Sequence, residues 1–319
     1  MRRLHAQLGT PFETVKSRRG AYLCGGCAKL TPMRAVVVAR GAAEEVRRGH
    51  PWIWRAAVKK GLEQARAGDV VALQSVDGAQ LGQGVADPES PIAVRVWVTS
   101  DAALDTALVD ARLSAALALR ARMFGGERTT AYRLLHGEGD RVPGFVVDRY
   151  GHVAVLRLDG AGAERFAETV VPRLWEQLRA TGVTSFVRRA SDVEAGAASA
   201  NAKGGGGKSR IVRIHGEDPP PTIEVREHGV PFVVDLARGQ KTGAFLDQRE
   251  NRRQVEEIVR AMRAAGRDTR RVLNLFSYAG GFSLRAAIGG ATKVTSVDIA
   301  AGAHATAQAS FKLAGVEPR

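Results

Sequence analysis

The chain has 319 residues, 45% of them hydrophobic, and 47 lysines and arginines against 33 aspartates and glutamates give a formal net charge of +14. That length exceeds one typical hydrophobic core and predicts two or three domains. No run reaches the roughly 18 to 20 uncharged apolar residues needed to span a bilayer, and the start lacks the basic-then-apolar layout of a secretory signal, which argues against membrane and secreted classes and for a cytoplasmic protein.

Arginine is spread along the whole chain. Such a balance favours a polyanionic partner, because each cation laid against a phosphate releases a counterion, although an arginine-rich proteome would produce the same excess. Cys24 and Cys27 are the only cysteines. One CxxC pair supplies two of the ligands of a structural zinc, and nothing nearby completes the set, so no metal site is predicted.

In chain order, residues 1–32 show no sustained periodicity and are left as an unassigned extension. Residues 33–100 carry short apolar or alternating runs, "AVVV", "DVVALQS", "LGQGVAD" and "IAVRVWV", separated by Gly, Asp and Pro turns, the pattern of a small β-barrel. An alanine-rich connecting helix with Leu104, Leu108 and Leu119 is expected within 101–128, stopped by Gly125 and Gly126. Residues 129–230 read as an α+β domain. It has a hairpin turning at Arg149 to Gly151, then a helix with Phe166, Val170, Leu174 and Leu178 at four-residue steps and Pro172 as an irregularity, then the strand "VTSFVRR". Residues 191–209 read as a flexible loop. Within it Ala202 to Ser209 fits a loose phosphate-loop spelling, but small polar residues precede it and a strand follows, so nucleotide binding there is rejected.

Two more strands, "IEVRE" and "VPFVVDL", turn at His228 and Gly229. The helix that follows is expected to be capped by Asp247 with Glu250 and to bury Val255, Ile258, Val259 and Met262, while Lys241, Arg249, Arg252 and Arg253 crowd its entrance. Residues 231–319 then run "RVLNLF", "SYAGG", "FSLRAAIGG", "KVTSVD" and "AGAHATAQASFKLAG", a βαβα order that opens a doubly wound nucleotide-binding fold. In such a fold the ligand lies beyond the carboxyl ends of the strands. Gly280 and Gly281 let the chain approach it, and Asp298, ending the second strand, receives ribose hydroxyls. The dinucleotide fingerprint G-x-G-x-x-G is absent, and Tyr278 and Phe282 crowd a pyrophosphate while an aromatic face favours a sulfonium cation. S-adenosylmethionine therefore fits better than NAD, with a turn that merely closes on its glycines as the competing reading.

"GHPWIW", "HGEGDRVPGFVVDRYG", "GQKTGAFLDQRENR" and "VLNLFSYAGGFSL…VTSVD" occur in that order. Together they resemble the class I S-adenosylmethionine-dependent methyltransferases of bacterial large-subunit (23S) ribosomal RNA that carry an N-terminal PUA domain, a family known for making 5-methylcytosine. The resemblance covers about Met33 to Val316. It implies a multidomain α+β and α/β protein: an N-terminal PUA-like β-barrel, a middle α+β domain and an incomplete Rossmann-like methyltransferase fold. It implies that Tyr278 and Gly280, with Asn274 behind them, line the cofactor pocket, that Asp298 holds the ribose, and that Gln240, Phe245, Asp247 and Gln248 border the same pocket. It makes ribosomal RNA the partner, with Arg47, Arg48, Lys241 and Arg249 as candidate phosphate contacts, and it leaves homodimerisation open. Trp52 and Trp54 are read as core side chains, with base stacking as the competing role.

The cytosine-methylating members use a cysteine thiolate that attacks the base, and they place it, with an Asp-Pro-Pro motif, after the second helix of this fold. No cysteine follows Cys27 here, and Arg319 falls at that point. The expectation is a C-terminally truncated chain without catalytic residues that is inactive alone. The alternative is a non-catalytic RNA-binding protein that keeps the PUA and middle domains.

Overall fold

The computed structural model describes residues 33–126, 128–189, 211–268 and 271–316. The cysteine pair and the 191–209 loop with its phosphate-loop spelling lie outside the described residues.

Six short strands form the first sheet: β1 (Ala35–Val38), β2 (Trp52–Trp54), β3 (Val58–Lys60), β4 (Val70–Ser75), β5 (Gln80–Ala86) and β6 (Ile92–Val98), in the order β2-β6-β5-β4-β1-β3. Helix α1 (Arg40–Arg47) follows β1 and buries Ala43 and Val46. Ile53 of the edge strand β2 and Val36 and Val38 of β1, next to the opposite edge, share one apolar cluster with Leu73, Leu81 and Val94, which requires the sheet to curl around its own core. Gly82 permits the close crossing of β5 and β6. At φ +129° it has a conformation few other residues adopt, and a β-carbon there would fall 1.8 Å from the Val98 carbonyl oxygen.

Helix α2 (Thr106–Phe124) starts at Asp105, whose carboxylate accepts from the Leu108 amide at 2.9 Å. It buries Val109, Leu113, Ala116 and Leu117. The second sheet comprises β7 (Ala131–His136), β8 (Phe145–Tyr150), β9 (Val153–Leu158), β10 (Ser185–Arg189) and β11 (Ile211–Gly216), in the order β11-β10-β9-β8-β7. The β9–β10 pair is parallel, joined by helix α3 (Ala161–Arg179). Phe166, Val170, Leu174 and Leu178 are all buried, as their spacing predicts. Pro172 lies on the exposed side, and the helix continues through it.

The first two sheets share a core, since Val85 and Trp97 join the cluster built by α2, α3 and the second sheet. A polar link reinforces this seam. Arg95 of β6, only 5% exposed, donates to Glu138 at 2.6 Å and Asp159 at 2.7 Å, and the Trp52 indole donates to the same Glu138 oxygen at 2.8 Å. Trp52 is therefore half-buried and held by a polar bond outside the apolar clusters, and Trp54 is 48% exposed, so neither is the core side chain expected.

The other face of the second sheet packs on the hairpin β12 (Thr222–Glu227) and β13 (Val230–Asp235), through Tyr150, Val187, Ile223, Val225 and Val234. Helix α4 (Arg249–Ala264), strand β14 (Arg271–Leu275), helix α5 (Gly281–Ile288), strand β15 (Lys293–Val297) and helix α6 (Ala301–Leu313) follow. β14 and β15 pair in parallel from Arg271 with Lys293 to Leu275 with Val297, the predicted βαβα order. Leu273, Leu275 and Val297 are exposed on this small sheet. No described helix is long and apolar enough to cross a membrane.

Helix α4 departs from expectation twice. Its buried residues are Arg252, Glu256 and Val259, while Ile258 and Met262 are exposed, because ion pairs and not an apolar stripe fasten this helix. Its N-cap is Gln248, which makes no side-chain capping bond. Asp247 instead lies 3.8 Å from the Lys241 ammonium, and Glu250 bonds His228, Arg249 and Arg253.

Candidate cofactor site

A cavity of about 750 Å³ opens where β13, the 238–248 loop, the ends of β14 and β15, and the starts of α5 and α6 converge. The chain leaves β14 through Phe276 (φ +56°), Ser277, Tyr278 (φ +46°) and Gly280 (φ +70°). Two bulky residues in the left-handed region are unfavourable, so the surroundings must hold them there. Asp298 supplies much of that hold: its carboxylate accepts from the Tyr278 amide at 2.8 Å and the Ala300 amide at 2.9 Å, fastening both strand exits together. Those two amides, Ala300's first, keep its carboxyl below the usual aspartate range.

Tyr278 also builds the opposite wall. Its hydroxyl donates to the Gly243 carbonyl at 3.0 Å and accepts from the Gln240 amide at 2.8 Å, and its ring meets Phe245 edge-on at 5.2 Å. Burial pushes its phenol above the ordinary value. Arg189 of β10 donates to the carbonyls of Leu236, Gly239 and Lys241, so the second sheet grips the same loop.

A buried chain of hydroxyls completes the grip. Thr242 donates to Asp148 at 2.5 Å, and Arg133 donates to both oxygens of that carboxylate, which is 1% exposed. With the Thr242 proton so committed, Tyr150 donates to Thr242 at 2.9 Å and itself accepts from the Ala244 amide at 3.0 Å. Burial, then the Asp148 charge, raises the Tyr150 phenol well above its ordinary range. Thr242→Val leaves Asp148 short of a donor and Tyr150 without an acceptor, and should cost about 1–3 kcal/mol in urea unfolding. Thr242→Ser should restore it, and an unchanged midpoint for the valine variant would contradict the network.

Of the predicted cofactor residues, Gln240, Phe245, Gln248, Tyr278 and Asp298 line the cavity. Three do not. Asn274 turns away and donates to Ser283 at 2.8 Å, in a chain that continues to Ser296 and ties β14 and β15 to α5. Gly280 faces α6, where a β-carbon would fall 2.8 Å from Ala307, so its glycine serves helix packing. Asp247 sits outside beside Lys241. Sequence reading missed Phe276, 88% exposed on the cavity rim, and Ser277, whose buried hydroxyl in the cavity wall has no partner among the described residues. The strained turn that aims both shows no simple spacing in the sequence.

The candidate phosphate contacts divide similarly. Arg47 and Arg48 are exposed at the end of α1, with Arg48 loosely paired to Glu45. The Lys241 ammonium lies 4.3 Å from the Phe245 ring centroid. Arg249 is mostly covered: it pairs with Glu250 at 3.0 Å and lies 4.6 Å above the Phe124 ring, so it is a packing residue.

The cavity falls within the range of small-molecule sites and combines aromatic faces with a few convergent polar groups. Aromatic faces at Phe245, Phe276 and Tyr278 suit a cationic sulfonium, the Ser277 hydroxyl is open to a partner, and the Asp298 carboxylate suits sugar hydroxyls, so these residues fit S-adenosylmethionine.

Comparison with known proteins agrees. Residues 208–318 match the S-adenosylmethionine-dependent methyltransferase family model, and residues 36–99 match that of a PUA-like domain. A ribosomal RNA large subunit methyltransferase of Deinococcus radiodurans is 37% identical over 297 residues, 90% of this chain and 67% of that protein. Ribosomal RNA large subunit methyltransferase I of Alteromonas mediterranea is 36% identical over 83% of this chain and 62% of its own length. The chain thus spans about two thirds of these relatives. A candidate methyltransferase from Streptococcus mutans superposes with a TM-score of 0.72 at 22% identity, covering 89% of this chain and 68% of that one, and so shares the fold. Another solved structure, with equal values, holds S-adenosylhomocysteine. With both domain models matched in order and this identity over nearly the whole chain, the protein belongs to the family of S-adenosylmethionine-dependent large-subunit ribosomal RNA methyltransferases that carry a PUA-like domain.

Proposed function

We propose that the cavity between β13 and the ends of β14 and β15 holds S-adenosylmethionine, and that the first two sheets hold large-subunit ribosomal RNA whose target is a cytosine C5. The single observation that carries the cofactor assignment is the Asp298 carboxylate, which fastens both strand exits at the cavity wall. When bound, the cofactor supplies an electrophilic methyl group on its sulfonium. Asp298 would accept from the ribose, Tyr278 pins the 240–243 loop beside the cavity, and the Phe245 ring lines its wall.

Attack at an unactivated cytosine carbon needs a nucleophile to add to the ring first. This chain has no cysteine after Cys27. We therefore propose that it binds donor and RNA but does not complete transfer alone. Incubation with methyl-labelled S-adenosylmethionine and unmodified large-subunit rRNA should retain the RNA on a filter and leave it unlabelled. Label in the RNA would overturn the proposed inactivity, and failure to retain RNA would overturn the substrate class.

The exposed Arg47 and Arg48 at the end of α1 also support a second reading, RNA binding with no role for the cofactor fold. On that reading the chain retains RNA but gives no heat with S-adenosylhomocysteine.

A further inference from the structure

Buried arginines in this protein are typically met by acids: Arg95 by Glu138 and Asp159, Arg120 by Asp140, Arg252 by Glu227, and Arg285 by Glu256. Arg112 of α2 breaks that pattern. Its half-buried guanidinium donates to two carbonyls, those of Arg141 at 2.6 Å and Trp97 at 2.6 Å, and lies 5.7 Å from the Trp97 ring centroid. Its neighbour in space is another cation. Arg141 ends the short helical turn Gly137–Asp140 in the left-handed region (φ +59°), with its side chain exposed. Burial, then the Arg141 charge, pushes the Arg112 guanidinium down to about 10, far below the usual arginine value.

The nearby acids are committed elsewhere. Glu138 serves Arg95 and Trp52, Asp140 serves Arg120 and the His136 amide, and Asp110 serves Arg173. Among the described residues no carboxylate bonds Arg112 or Arg141. Arg112 hydrogen-bonds the backbone of a second arginine, the two charges repel with no counter-charge beside them, and guanidinium N–H groups beyond those the two carbonyls take remain for an anion.

We propose that Arg112 and Arg141 form a binding site for a backbone phosphate of the RNA. This rests on the RNA reading above and adds a contact that the sequence did not suggest. The site lies where the end of β6, α2 and the turn after β7 meet, so one phosphate there fixes the RNA against both of the first two sheets. It sets register and carries no base specificity.

The test is fluorescence anisotropy of the whole chain with a labelled RNA stem-loop of about 30 nucleotides, between about 50 and 300 mM KCl. Arg141→Ala should weaken binding roughly fivefold and flatten the log–log salt slope by about 1. Arg141→Lys, which places the same β-carbon on the same backbone, should recover both, so the difference between the two variants reads charge and not folding. Arg267→Ala, an equal charge loss at an exposed position just past the end of α4, should change neither. If Arg141→Ala keeps the wild-type affinity and slope, or if Arg267→Ala shifts them equally, the site is wrong while the RNA reading stands. If the unaltered chain binds no RNA, the reading beneath it fails instead.

Discussion

Asp298→Ala should weaken S-adenosylhomocysteine binding by on the order of tenfold to a hundredfold, because one side chain both lines the cavity and fastens the turns that shape it. Asp298→Asn separates the two roles. An asparagine oxygen accepts from only one of the two amides and its NH2 meets the other N–H donor to donor, so the variant should melt at a slightly lower temperature, closer to wild type than Asp298→Ala, and bind more weakly. The pH dependence follows from the depressed carboxyl. A group lowered in the folded state keeps its contribution above the ordinary aspartate value and loses it only as pH falls through the lowered value. Ligand affinity should therefore stay level through the range where free carboxylates protonate, and decline only below it. Calorimetry across that range checks the point, and a midpoint at or above the usual aspartate value would contradict the two amide bonds.

The largest stability effect is expected where α4 joins the hairpin. Glu227 of β12 is 2% exposed, and its carboxylate takes the Arg252 guanidinium at 2.9 Å and 2.5 Å. Arg252 reaches on to the Phe245 carbonyl at 3.1 Å, while Arg285 of α5 bonds both Glu256, at 2.8 Å, and the Glu227 carbonyl. Hairpin, α4, α5 and the cavity loop thus meet at one charged hub. Arg252→Ala strands a buried carboxylate and should cost about 3–5 kcal/mol in denaturant unfolding. Replacing both partners, Glu227→Gln with Arg252→Met, should recover most of that loss, since the desolvation cost of both charges disappears with them. A single-variant loss below about 1 kcal/mol would mean that water reaches the pair.

Much of the architecture is legible in the sequence because its signals are local. The four-residue spacing of Phe166 to Leu178 marks α3, the turns at Gly151 and Gly229 mark two hairpins, and "NLFSYAGG…VTSVD" marks the parallel βαβ unit. What was hidden lies in contacts between distant positions. Thr242 and Asp148 are 94 residues apart, and nothing near either one announces the other. The same limit explains α4. An apolar count selects Ile258 and Met262, whereas Arg252 and Glu256 are buried because their partners come from β12 and α5. Asn274 and Gly280 lie in the recognisable motif, but their side-chain environments fasten strand to helix and helix to helix, a distinction that spacing cannot make. Trp54 fails in the opposite sense: its strand is short and at the edge of the sheet, so an aromatic there is left facing solvent.

The turn after β14 and the aspartate after β15 fit an adenosine sulfonium cofactor better than a dinucleotide. Isothermal calorimetry of the unaltered chain separates the two, with S-adenosylhomocysteine in one titration and NAD in another. One-to-one binding of S-adenosylhomocysteine and no heat from NAD are expected. A folded chain that gives no heat with S-adenosylhomocysteine, or that binds NAD in its place, would contradict that fit.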